Sequence, residues 1–242
     1  MSEPRTIDVS LPGGRAAFST RCGGVSQGPY ESLNLGILTD DDQARVAENR
    51  ALLVAETGLD RERVAMGWQV HGAEIREWAE LPDGGGYASP GAELEKVDGH
   101  ASAIPGLGLL VLVADCLPVA LIARGRVAML HCGWRPLAAG IVEKALSSFG
   151  DGVPAAAIGP GIGRCCYEVG EEVLAEFADL DGVASGRMLD LRMVVRRKLE
   201  AAGVTTIEDV DLCTSCRPDL FFSHRRDRGI TGRQGGVAWL TA

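Results

Sequence analysis

Seven cysteines and only four histidines, His71, His100, His131 and His224, carry most of the metal-binding and nucleophilic capacity of this 242-residue chain. Three segments set such residues among turn-forming neighbours beside apolar runs: Gln69-Val70-His71-Gly72, Ala114-Asp115-Cys116-Leu117-Pro118 and His131-Cys132-Gly133-Trp134-Arg135. A thiolate and an imidazole on one face of a sheet support two chemistries. With a third nitrogen donor they form a Zn²⁺ site that leaves one coordination position open for water. Without metal, the imidazole lowers the thiol pKa and makes Cys116 a nucleophile. A lone buried cysteine is commonly an inert small hydrophobe, and His131 reads equally as a satisfied core histidine, so spacing alone does not choose among these.

Other groups carry weaker signals. Cys213-Thr214-Ser215-Cys216 has CxxC spacing, and Cys165-Cys166 would complete a set of four. Adjacent cysteines are poor joint ligands of one tetrahedral ion, which weighs against a structural zinc there. The turn Gly159-Pro160-Gly161-Ile162-Gly163 lacks the Lys-Ser/Thr of a P-loop and reads as structural. Arg225, Arg226 and Arg228 read as a solvated or salt-bridged face.

Apolar spacing and breaker residues define the elements that must position these groups. Residues 15–20 read as a strand entering the glycine turn at Cys22-Gly23-Gly24. Asp40, Asp41 and Asp42 offer N-cap and first-turn acids to a helix whose stripe is Val46, Arg50, Leu53 and Val54, stopped by Gly58. Residues 64–70 and 73–78 read as two strand pieces meeting at a bend on His71-Gly72, and the Gly- and Pro-rich stretch 81–95 as a surface loop. Strands follow at 107–114 and, as a hairpin, at 119–123 and 127–131. Leu137, Ile141, Val142, Ala145, Leu146 and Phe149 recur at helical spacing, with Pro136 in the first turn. A strand at 155–158, helices marked by Val169 to Phe177 and by Leu191 to Leu199, and strands at 220–223 and 237–240 complete the chain. Strands and helices mix without regular βαβ alternation, which defines an α+β class.

The hairpin supplies the link between Cys116 and His131. If it turns on Arg124-Gly125, Ala123 faces Arg126 and Pro118 faces His131. Cys116, two residues before Pro118, then shares the face of His131 as a diagonal neighbour about 7–8 Å away at the backbone. A one-residue slip would send Cys116 to the other face.

Composition narrows the class. Hydrophobic residues at 46% and charged residues at 24% exclude disorder as the main state, and the length fits one domain over residues 1–242. A formal charge of −9 disfavours a general nucleic-acid binder or a ligand of anionic membranes. The apolar run 106–123 is interrupted by Asp115 and Pro118, which argues for buried strands over a membrane span. An odd number of cysteines, behind an N-terminus without a signal-peptide pattern, leads us to expect reduced thiols and a cytoplasmic protein. With no readable heptad or apolar patch, a monomer is the default.

The ordered set of motifs resembles the YfiH family, also called laccase-domain or multicopper polyphenol oxidase-like proteins. Besides the three segments above it includes Phe18-Ser19-Thr20-Arg21-Cys22-Gly23-Gly24-Val25-Ser26, Ser32-Leu33-Asn34-Leu35-Gly36, Ile158-Gly159-Pro160-Gly161-Ile162-Gly163, Tyr167-Glu168-Val169-Gly170 and Phe222-Ser223-His224-Arg225-Arg226-Asp227. The resemblance runs through nearly the whole chain. It implies a four-layer α/β/β/α fold with mixed sheets, shared distantly with the cytotoxic necrotizing factor catalytic domain. It also implies one Zn²⁺ per chain at His71, Cys116 and His131, and a small nucleoside and phosphate as partners.

The activities it implies are purine nucleoside phosphorylase, methylthioadenosine phosphorylase and adenosine deaminase. The alternative is an editing amidase that removes misincorporated serine from a muramyl precursor, by zinc or by a Cys116–His131 pair. Four histidines cannot supply a multicopper centre, so laccase chemistry is not expected. On this reading Arg21 or Arg135 neutralises phosphate, Asp115 is catalytic or a structural hydrogen-bonder, and Asn34 orients ribose or holds its turn. Cys132, Pro136, Gly161 and His224 depart from the family pattern. Cys132 is placed to compete for metal or to pair with Cys116.

Overall fold

The computed structural model describes residues 3–82, 87 and 94–241. The first half contains β1 (Thr6–Leu11), β2 (Gly14–Ser19), α1 (Gln43–Thr57), β3 (Val64–Ala65), β4 (Ile75–Trp78), β5 (Gly99–Ser102) and β6 (Gly108–Val113). The central hairpin is β7 (Leu117–Ala123) and β8 (Arg126–Cys132), followed by α2 (Trp134–Ala138), α3 (Ile141–Ser147) and β9 (Ala155–Ile158). The last third holds α4 (Glu171–Ala175), the short hairpin β10 (Ala184–Ser185) and β11 (Met188–Leu189), α5 (Leu191–Ala201), β12 (Ile207–Asp209) and β13 (Gln234–Leu240).

Two mixed sheets form, in the orders β1-β2-β13-β6-β3 and β12-β9-β7-β8-β5-β4. Strand alternation distributes their side chains into three apolar layers. Ala120, Ile122, Val127 and Met129 of the second sheet meet Ala16, Phe18, Leu109, Val111 and Ala238 of the first, making the core between the sheets. The alternate residues Val119, Leu121, Ala128 and Leu130 pack beneath Leu137, Ile141 and Val142 and beneath Val194 and Leu199 of α5. On the far side, Ala17, Leu110, Val237 and Trp239 pack against Leu53 and Val54 of α1. The layers are α/β/β/α, because both sheets are apolar on both faces.

Helix α1 follows the apolar spacing closely. Asp42 caps it by accepting from Ala44 N and Arg45 N, and Gly58 ends it in the left-handed region at φ 71°. Arg50 occupies a core position on this stripe at 1% exposure. Its guanidinium donates to the carbonyls of Leu35 and Tyr87, and burial lowers its pKa to about 10.

Four elements differ from the sequence expectation. The helix expected through residues 136–149 is two helices, because Gly140 turns the chain at φ 80° between α2 and α3. The strand expected at 220–223 is not one: the Gln234 side-chain amide, accepting from Phe222 N and donating to Phe222 O, stands in for a partner strand. The strands expected at 64–70 and 73–78 shrink to β3 and β4, and the intervening backbone is spent on the site described below. Most of the loop expected at 81–95 lies outside the described residues.

Phe18 sits at the centre of the inter-sheet core at 1% exposure. A Cβ on Gly159 would lie 2.4 Å from Phe18 Cδ1, so the ring occupies a slot that glycine leaves open. Phe18→Ala should therefore lower unfolding stability by about 3–5 kcal/mol, read from denaturant midpoints. A loss below about 1 kcal/mol would show that Phe18 is not the packing centre between the sheets.

Candidate metal centre and active site

The β7–β8 ladder pairs Ala123 with Arg126 and Pro118 with His131. This register places Cys116 and His131 on the inter-sheet face, where the two sheets run out. His71 arrives from the loop after β3. The potential ligand atoms of His71, Cys116 and His131 all lie within 4.8 Å of one another, and the two imidazoles meet edge to face with ring centroids 4.8 Å apart. Cys132, one residue past His131, points the opposite way and is fully buried in the helix-side core. Burial and the nearby Cys116 push its thiol pKa well up. It neither reaches the ligand set nor faces Cys116, contrary to the expectation of competition.

Asp98 positions two of the three residues, His71 and His131, and motif reading missed it. It directly precedes β5, whose pairing of Gly99 with Leu130 puts Asp98 beside His131. Asp98 O accepts from His131 N at 2.8 Å, and Asp98 Oδ1 lies 2.8 Å from His131 Nδ1. A carboxylate only accepts, so Nδ1 carries the proton and Nε2 is left to face Cys116 and His71. The same carboxylate accepts from the backbone N–H groups of Val70, His71 and Gly72 at 3.1, 2.9 and 2.7 Å. His71 has φ 59°, an uncommon conformation for a residue with a Cβ. The Asp98 contacts hold it there. The available signal was an acidic residue in Lys96-Val97-Asp98-Gly99-His100, between an apolar residue and a glycine; nothing in that string shows its partners.

The electrostatics follow from this packing. Burial alone would raise the Asp98 carboxyl, but hydrogen bonds from His131, Gly72 and Val70 outweigh it and hold the group below the usual carboxylate range. Burial likewise opposes ionisation of Cys116, yet His131 and His71 bring its thiol down to about 6. His131, which burial alone would lower, rises to about 9 beside Cys116 and Asp98. Two imidazoles and a thiolate, one imidazole oriented by a carboxylate, suit a borderline-soft divalent ion with one position open. The space is tight: a Cβ on Gly133 would lie 2.8 Å from Cys116 Sγ and 3.5 Å from His71 Cδ2.

A cleft of about 590 Å³ opens over this triad, its wall including Trp134, Arg135, Tyr167, His224, Arg225 and Arg233. Arg135 lies over the Trp134 ring, 4.4 Å from its centroid. Arg225 lies 5.2 Å from the Tyr167 ring centroid and donates to Glu168 O. Arg233 is tied to the carbonyls of Thr231 and Gly232. Among the described residues, none of the three forms an ion pair with a carboxylate.

Of the residues singled out from sequence, the structure brings His71, Cys116, His131, Asp115 and Arg135 to this cleft. Arg21 is not among them: its guanidinium donates to Glu31 O and Pro218 O and covers the Phe222 ring, so it ties loops together. Asn34 is fully buried. Its amide donates to Thr39 and Asp41 and accepts from Gly36 N and Arg233 N, which leaves nothing for a ribose. Asp115 is in the wall, but Oδ1 accepts from Thr214 Oγ1 at 2.6 Å and Oδ2 from Arg225 N at 2.7 Å. With φ 92° it stands outside strand alternation and anchors the backbone next to Cys116. The arginine face divides: Arg226 pairs with Asp227 and holds the carbonyls of Thr214 and Phe221, whereas Arg225 enters the cleft. Arg233 follows a strand-entry glycine with no motif around it, and sequence reading passed over it.

Two packed mixed sheets between helical layers, with a His-Cys-His site where the inter-sheet core meets solvent, define the class of protein. A family model described as "Multi-copper polyphenol oxidoreductase laccase" matches residues 15–241, and the chain belongs to that family. It is 39% identical over 243 residues to "Purine nucleoside phosphorylase YfiH" of Shigella flexneri, covering 95% of this chain and 96% of the relative. The protein of the same name from Escherichia coli strain K12 is 38% identical, with 93% of each chain covered. The crystal structure of YlmD from Geobacillus stearothermophilus superposes with a TM-score of 0.88 at 35% identity, over 95% of this chain and 93% of that one. The family description implies a metal, and the donor groups present are compatible with one. Among the described residues the donor clusters are this triad and a group of four cysteines, with no histidine-rich multinuclear set.

Asp98→Asn keeps the shape of the side chain but loses the charge that orients His131. Metal affinity at the triad should fall about 10–100-fold, measured by competition with a chromophoric chelator. Unchanged affinity would remove Asp98 from its assigned role. Gly133→Ala should also weaken the site, by driving a methyl into Cys116 Sγ.

Proposed function

We propose that this protein is a zinc-dependent purine nucleoside phosphorylase, acting on adenosine, inosine, guanosine and methylthioadenosine, with adenosine deaminase activity at the same site. One observation carries the reading: Arg135, Arg225 and Arg233 line the same cleft as the His71–Cys116–His131 triad, and among the described residues none of them forms an ion pair with a carboxylate. Cations left unneutralised in a cleft select an anionic ligand, and guanidinium matches phosphate geometry. The relatives named as purine nucleoside phosphorylases, similar over almost their whole length, support the same reading.

His71, Cys116 and His131 would hold Zn²⁺, which supplies Lewis-acid polarisation of an oxygen when bound. The remaining work falls to the chain. Arg135, Arg225 and Arg233 neutralise phosphate and hold one of its oxygens toward the sugar. That oxygen bonds to the anomeric carbon as the carbon–nitrogen bond to the purine breaks, and the departing base takes up the proton that the hydrogen phosphate gives up. Trp68, Trp134 and Tyr167 offer rings to the base, and Met66 and Leu112 offer apolar wall to the sugar. Asp98 keeps Nδ1 of His131 protonated, and Asp115 holds the Cys116 turn.

A second reading has its own support. The lowered Cys116 thiol beside the raised, Asp98-oriented His131 forms a Cys-His-Asp relay, as a metal-free amidase of a muramyl precursor requires. His71→Ala separates the two. A metal mechanism loses phosphate-dependent inosine turnover in that variant, whereas the Cys116–His131 amidase keeps its hydrolysis.

Arg225→Ala should raise the phosphate KM at least about tenfold, the loss of one charge-assisted contact, with inosine KM little changed. Phosphate-independent turnover, or an unchanged phosphate KM, would count against phosphorolysis. In metal-stripped protein the Cys116 thiolate forms as pH rises through about 6. Iodoacetamide should therefore modify it at a nearly constant rate from pH 7 to 9, and added Zn²⁺ should protect it. A rate still climbing through pH 9 would place the thiol at its ordinary pKa.

A further inference from the structure

The four cysteines that the function above does not use, Cys165, Cys166, Cys213 and Cys216, bring their sulfur atoms within 4.8 Å of one another at the surface. Cys216 Sγ lies 3.5 Å from Cys165 Sγ and 3.4 Å from Cys166 Sγ. No disulfide joins any of them. A tetrahedral tetrathiolate with metal–sulfur bonds of about 2.3 Å places its sulfurs about 3.8 Å apart, inside the observed range.

Two turns build this cluster. Gly161 bridges Cys213 in parallel, and Thr214 N donates to Gly161 O at 3.0 Å, so the two segments leave that bridge side by side. One then turns with Cys166 N donating to Gly163 O, and the other with Arg217 N donating to Cys213 O. Adjacent cysteines on a strand would face opposite ways, but in the turn Cys165 and Cys166 both reach Cys216. The objection to this set from its sequence spacing therefore fails. Gly163 N donates to Cys213 Sγ at 3.1 Å, which fixes this sulfur against the other loop. Gly163 permits the approach: a Cβ there would lie 3.2 Å from Cys165 Sγ and 3.4 Å from Cys213 Sγ.

We propose that Cys165, Cys166, Cys213 and Cys216 form a second, structural metal site, a tetrathiolate centre for Zn²⁺. All four positions are filled by protein, so it has no open position for substrate. Its role is to fasten two loops that meet on the catalytic turn. Thr214 donates to Asp115 Oδ1 from one loop, and Ile162 N donates to Asp115 O from the other. The centre thus holds Asp115, and through it Cys116, from the outside.

The test is zinc content per chain by elemental analysis, for protein purified reduced and without chelator. We expect two equivalents in the unmodified chain, one in His71→Ala, one in Cys216→Ala and none in the double variant. Because Cys216→Ala could misfold, the second readout is Co²⁺-loaded His71→Ala. There the tetrathiolate gives strong sulfur-to-cobalt charge transfer and the intense visible bands of a tetrahedral ion. Metal retained by His71→Ala but lost from Cys216→Ala supports the centre even if the triad proves not to bind zinc. His71→Ala devoid of metal, with no such cobalt spectrum and with these thiols freely alkylated or disulfide-linked, would overturn it.

Discussion

One buried carboxylate holds the candidate site together. Asp98 has no solvent exposure and spends its oxygens on His131 Nδ1 and on three consecutive backbone N–H groups. An unpaired buried charge is expensive, so the loop carrying His71 and the strand carrying His131 must both be in place for Asp98 to remain ionised. The dependence is mutual. The loop adopts its left-handed turn at His71 because Asp98 gathers its N–H groups, and His131 presents Nε2 because Asp98 takes Nδ1. Both imidazoles are thereby held in place beside Cys116 by one carboxylate.

The double-sheet architecture explains the location of this carboxylate. Strands apolar on both faces must be covered on both, giving an inter-sheet core flanked by helices. Where the strands end, the two sheets diverge and the apolar layer gives way to polar groups. Residues continuing the inter-sheet face of β5, β7 and β8, namely Asp98, Cys116 and His131, converge there. The first sheet contributes too: the Gln69 amide pairs with both backbone groups of Leu112 at 2.7 Å, pinning the His71 loop to the end of β6. The guanidinium groups then come from outside the sheets, from the start of α2, from the 224–226 turn and from the approach to β13. The cleft is therefore a seam between layers.

How far the site is legible in sequence depends on whether the link is local. The Cys116–His131 relation rested on one two-residue turn and a period of two, and the register matches. Helix α1 was equally readable, since Asp42, Gly58 and the apolar stripe are local signals. Asn34 and Arg21 sit in distinctive motifs, but those motifs serve loop closure: Arg21 donates to backbone carbonyls, and the Asn34 amide is divided between two side chains and two backbone N–H groups. Asp98 and Arg233 have the opposite character: plain local context and decisive long-range partners. The four cysteines show the same limit, because the opposite-face argument for neighbouring residues holds on a strand and fails in a turn.

The sequence by itself determined the classes of element, the hairpin register and the inventory of donors, since these rest on periodicity, caps and residue type acting over a few positions. Tertiary structure alone decided which donors meet. His71 joins Cys116 and His131 only because a parallel β4–β5 pair and the β5–β8 ladder bring a distant carboxylate under its loop. Arg135, Arg225 and Arg233 become one cationic wall only when three separated segments close on the same seam. Such encounters depend on strand order and layer packing, which local spacing does not encode.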